Sequence, residues 1–119
     1  NVRLAIFGDG DINKRIYAEF NSSLLVAGWN HIVGRYNANG LAAGVSLRLN
    51  GVDVTTNGSI GTYTKLGNFS NTLDIGQSQD STFRLNGKID ELYIYRNRHL
   101  TDNECEAAYE IFSSGASLI

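Results

Sequence analysis

Asp90 and Glu91 stand side by side in the stretch GQSQDSTFRLNGKIDELYIYR, Gly76 to Arg96. Paired carboxylates can do acid–base work on a glycosidic bond, and an oxygen-rich loop can hold a hard cation. The run from Lys88 to Arg96, with its Ile, Leu and Tyr residues, predicts a strand, and successive strand residues face opposite sides. Asp90 then shares a face with Lys88, Leu92 and Ile94, and Glu91 with Ile89, Tyr93 and Tyr95. A retaining glycosidase needs its two carboxyls about 5–5.5 Å apart across one cleft. The pair is therefore read as structural, and no catalytic residue is assigned. The preceding loop is the better cation candidate, because Gln79 and Asp80 offer some of the six to eight oxygens calcium takes. The DGD at Asp9 to Asp11 is explained by a hairpin turn.

Other chemistry is sparse. His31 and His99 are the two histidines; His31 is read as packed or hydrogen-bonded and His99 as solvated. Cys105 is the single cysteine, so no internal disulfide and no cysteine-rich zinc site can form. Its setting, DNECEAAY, is acidic, which disfavours a thiolate. No glycine-rich phosphate loop is present. A net charge of −2 does not favour nucleic-acid binding. Eight of the twelve acids lie between Asp74 and Glu110, so that part is the better home for a cation. No apolar run reaches the ~18 residues that a membrane span needs. Asn21, Asn57 and Asn68 begin Asn-x-Ser sequons, which carry meaning only in a eukaryotic secretory pathway.

The elements that must position these residues are mostly strands. VRLAIF (Val2 to Phe7) and KRIYAEF (Lys14 to Phe20) alternate around a turn and predict a hairpin. WNHIVGRY (Trp29 to Tyr36) predicts a strand with Trp29 as a core anchor. In VSLRLNGVDVT, Asn50-Gly51 supplies the positive φ of a two-residue turn between Val45–Leu49 and Val52–Val54. Thr55 to Asn71 reads as loop with a short strand around Tyr63, and Thr72 to Gln77 and Lys88 to Arg96 as two further strands. Near the end, Thr101 and Glu104 form a capping box ahead of Cys105, Ala108, Tyr109 and Phe112 at helical spacing, with Gly115 as the stop. Many short strands at regular spacing make an all-β antiparallel sandwich or barrel.

Four stretches, in this order, resemble the laminin-G-like and pentraxin-like branch of the concanavalin A-like lectin/glucanase superfamily. They are GWNHIVGRYNANG, VSLRLNGVDV, TLDIGQSQDSTF and LNGKIDELYIYRNRHLTDNE. The resemblance implies a single domain over residues 1–119, a two-sheet jelly-roll sandwich with one short C-terminal helix. It implies that strands preceding Val2 to Phe7 in the family are missing, to be supplied by the same parent chain upstream or by a partner chain. It also implies a calcium loop whose Glu, Gln and Asp are ligands. Gln79 and Asp80 match that pattern, Ser78 stands in place of the Glu, and the upstream Asp-Asn pair is lacking, so calcium binding is expected to be weak or nil. The laminarinase-type relatives carry a Glu-x-Asp-x-x-Glu string, which this sequence does not contain.

These readings lead to a non-catalytic recognition or adhesion module within a larger extracellular, secreted or virion-surface protein. Its expected partners are a glycan or another protein's surface, with no nucleic acid and no membrane insertion. Tyr63, Phe69 and Phe83 sit in polar, loop-like surroundings and are the candidates for stacking on a sugar. An assembly or decoration module that uses the sandwich as scaffold is the alternative, and a glycoside-active enzyme the third.

Overall fold

A computed structural model describes residues 1–8, 11–67, 74–77 and 82–115. Two three-stranded antiparallel sheets carry the described chain, followed by one helix. The first sheet has the order β1 (Val2–Gly8), β2 (Asp11–Phe20), β6 (Thr56–Ile60). The second has the order β3 (Ile32–Tyr36), β4 (Val45–Leu49), β5 (Val52–Asp53).

The core follows from the two-residue period of a strand. Ile16, Ala18 and Phe20 on β2 are buried against Val45, Leu47 and Leu49 on β4. Val2, Leu4 and Ile6 of β1 lie in register beside Phe20, Ala18 and Ile16 and close one side. Gly34, opposite Leu47, lets the sheets approach: a Cβ there would lie 2.9 Å from a Leu4 methyl. Asn57 on β6 stitches the sheets together, its amide donating to the carbonyls of Ala42 (2.7 Å) and Val45 (2.8 Å).

The Asn50-Gly51 turn is as expected, with φ of 49° and 83°. The helix α1 (Asp102–Ser113) is also as expected. Thr101 Oγ1 accepts from the Glu104 N–H and Glu104 Oε1 accepts from the Thr101 N–H, both at 3.1 Å, and Gly115 has a φ of 78°. Helix α1 covers the outer, polar face of the second sheet. Arg35 and Arg48 rise from that face to meet the helix's acids. Asp102 lies 2.9 Å from Arg35 and 3.5 Å from Arg48, and Glu106 lies 3.5 Å from Arg48. Cys105 is buried beneath the helix, and Tyr109 packs against Gly51.

Three expectations need correction. The strand after the hairpin lies at Thr56–Ile60 and not around Tyr63; its polar sequence has no apolar alternation, and pairing with β2 selects it. The third strand begins at Ile32, leaving Trp29 outside it. Lys88 to Arg96 forms no strand: Glu91 takes a φ of 50° and Asp90 accepts from the Glu91 N–H at 2.9 Å. An extended segment gains its hydrogen bonds only from a neighbouring strand, and among the described residues none pairs with this one. Of the expected strand Thr72 to Gln77, residues 74–77 are described, and Gln77 makes only an isolated bridge to Arg84.

Candidate functional site

The loop before β3 is built around one side chain. Asn30 accepts from the Val26 N–H (3.0 Å) and donates to the carbonyls of Val26 (2.9 Å) and Gly28 (3.2 Å). Its Oδ1 also accepts from the Asn50 amide at 3.1 Å, which ties the loop to the Asn50-Gly51 hairpin turn. Four hydrogen bonds to one amide fix the backbone over Val26 to Asn30 and pull Trp29 out of the strand. Gly28, at a φ of 87°, makes the bend. Trp29 is consequently 54 % exposed. An indole presented on a pinned loop loses little conformational freedom when a ligand stacks on it.

Trp29 and Gly28 share a cavity of about 270 Å³ with Lys88. Lys88 is exposed, and no carboxylate among the described residues pairs with it. The cleft thus joins a flat apolar face to a cation that no carboxylate of the described residues neutralises. A second cavity of similar volume lies between Tyr95, Leu100 and helix α1, but its cation, Arg98, is already paired with Glu104.

The residues expected to stack on sugar do not gather here. Tyr63 is half-buried and packs on the core between the sheets, its hydroxyl 3.3 Å from that of Tyr36. Phe83 is 75 % exposed, and neither it nor Tyr63 lines the Trp29 cleft. Phe69, and the calcium candidates Gln79 and Asp80, lie outside the described residues. Among the described residues no group of three or more His, Cys, Asp or Glu side chains could hold a metal ion. Trp29, expected in the core, is the aromatic that the sequence reading assigned to the wrong side. The signal was available: a glycine before it and an asparagine after it are loop chemistry rather than strand chemistry.

His31 follows the expected packed role. It stacks on Phe112 (ring centroids 5.3 Å apart) and lies beside Tyr109 (6.0 Å), while its backbone N–H donates to Asn50 Oδ1 at 2.8 Å. Burial holds the imidazole below its ordinary pKa. Of the sequons, Asn57 has its amide engaged between the sheets, and Asn21 caps its own turn by accepting from the Ser23 N–H at 2.9 Å.

The laminin G family described as the concanavalin A-like lectin/glucanases superfamily matches residues 1–105. The chain belongs to this family, and its two facing sheets fit that fold. At this level the family supports a carbohydrate- or protein-binding module. Neither a curated protein nor a solved structure matches the chain significantly.

Proposed function

We propose that this chain is a non-catalytic recognition module that binds glycan within a larger extracellular or virion-surface protein. The observation that carries this reading is Trp29, exposed on a loop locked by Asn30 at the mouth of a cleft. Sugars present a C–H face that stacks on an indole, and a fixed aromatic beside a polar group is the usual make-up of such a site. The cleft's volume, below the ~300–1,000 Å³ of drug-sized pockets, suits one sugar ring with the rest of a chain lying outside. The test is a panel of immobilised neutral and acidic glycans probed with the 119-residue chain and with Trp29→Ala. Binding that Trp29→Ala removes supports the reading. No retained glycan, or retention indifferent to Trp29, contradicts it. Catalysis is not part of the proposal, because the sequence lacks the Glu-x-Asp-x-x-Glu string of the laminarinase-type relatives. Turnover of a β-glucan that Asp90→Asn abolishes would overturn that point.

A second reading, assembly, is favoured by a different observation. Ile89, Leu92 and Ile94 are each at least half exposed, and the outer edge of β3 pairs with no strand among the described residues. Open edges and apolar surface are where a strand from another chain adds. Sedimentation over a range of concentrations tests this. Self-association that Leu92→Lys with Ile94→Lys disperses supports assembly, and a monomer throughout contradicts self-assembly.

A further inference from the structure

We infer that the Trp29–Lys88 cleft selects acidic sugars, the glycan's carboxylate meeting Lys88 while its ring stacks on Trp29. This rests on the glycan reading above and adds the class of sugar. An indole face alone discriminates weakly between neutral and acidic rings, since both present C–H bonds to it. The discriminating group is Lys88, an exposed ammonium lining the same cleft. Among the described residues nothing cancels it. The salt bridges of the described residues use Arg3, Arg35, Arg48 and Arg98, and none uses Lys88. Asp90, two residues on, has its carboxylate turned to the Glu91 N–H, and neither acid lines the cleft.

Two further features set the kind of selectivity. The whole chain carries −2, so long-range attraction does not draw an anion in, and the preference must arise at contact. A lysine ammonium is a point charge without the forked geometry of arginine. It therefore takes one carboxylate of variable orientation and not a fixed bidentate partner. A single carboxylate on a hexuronate ring whose C–H face lies on the indole meets both demands. Gly28 adds no side chain beside the indole: a Cβ built there meets nothing within 4 Å, so the approach to Trp29 is open on that side.

The test compares two ligands of one backbone, cellotetraose and its C6-oxidised tetraglucuronate, titrated by calorimetry into the 119-residue chain at low and at high salt. The expected result is binding of both, with the tetraglucuronate tighter by about two- to five-fold at low salt, as one exposed ion pair supplies. Lys88→Gln and high salt should each erase that preference by weakening tetraglucuronate more than cellotetraose. Trp29→Ala should lose both ligands. Equal affinity for the two ligands, or a preference that survives Lys88→Gln, overturns the acidic-sugar inference while the glycan reading stands. Binding of neither ligand overturns the inference, and with a blank glycan panel it removes the glycan reading too. Should Trp29→Ala melt early, the Lys88→Gln comparison, made on a solvent-exposed side chain, still decides the matter.

Discussion

The strands β1, β2 and β4 and the segment from Lys88 to Arg96 are alike rich in branched and aromatic apolar residues and end in opposite states. In the first region β2 and β4 bury Ile16, Phe20, Val45 and Leu47 to less than 5 % exposure. In the second, Leu92 is 53 % and Ile94 63 % exposed, and the backbone turns aside at Glu91. The difference is partnership. β2 lies between β1 and β6, so its backbone groups pair on both sides and its apolar face meets β4. Lys88 to Arg96 has no neighbouring strand among the described residues, and its apolar side chains are left without a facing layer. Apolar alternation states which face a strand would bury; it does not create the strand that must lie alongside.

The sharpest way to break this comparison is to cut one apolar side chain from each region. Leu47→Ala should cost about 2–5 kcal/mol, because it opens a cavity between the sheets. Leu92→Ala should stay within about 0.5 kcal/mol, as surface substitutions do. Urea denaturation of both variants checks the pair. Equal losses would mean that Leu92 is buried and that Lys88 to Arg96 belongs to the core.

Asn57→Ala should cost about 1–3 kcal/mol, since it removes the donor shared by the carbonyls of Ala42 and Val45. Urea denaturation reads this, and a neutral result would show that β6 does not lock the sheets. Thr101→Ala should cost about 1 kcal/mol through loss of the capping box. The loss should appear as faster amide exchange in α1 and not in β2, because the cap satisfies helix donors only.

The smallest expected effect is a pH slope. Burial favours neutral His31, so its folded pKa lies below the unfolded value of 6.5. Between the two values the unfolded chain binds more protons, and stability rises with pH. The His31 contribution is present in full above pH 6.5 and is lost as pH falls through the folded pKa. Denaturation midpoints measured from neutral pH downward should show this slope, and His31→Phe should flatten it. A slope that persists in His31→Phe would assign it to other groups.

These contrasts also explain what could be read from the sequence. The β4–β5 hairpin and helix α1 were legible because short-range chemistry fixes them: Asn50-Gly51 demands its turn, and Thr101 with Glu104 demands its cap. β6 was not, because TNGSI has no apolar alternation and a glycine at its centre, and is a strand only by pairing with β2. The packed role of His31 was legible, although its partners Tyr109 and Phe112, far along the chain, were not. The cleft was hidden for a related reason. Trp29 is apolar and precedes a strand, so periodicity placed it inside, whereas the hydrogen bonds of Asn30 turn the loop outward. Tyr63 fails in the other direction: polar neighbours suggested a surface, and the close approach of the two sheets claims it for the core.

Trp29 is the single tryptophan, so fluorescence excited selectively at tryptophan, clear of the six tyrosines, reports on the proposed site. The most direct measurement is its emission and its quenching by acrylamide, taken without ligand and during a titration with tetraglucuronate. The account predicts a solvent-exposed, readily quenched spectrum that shifts to the blue and becomes protected as ligand binds. A spectrum already blue and protected without ligand, or one that tetraglucuronate leaves unchanged, would contradict it.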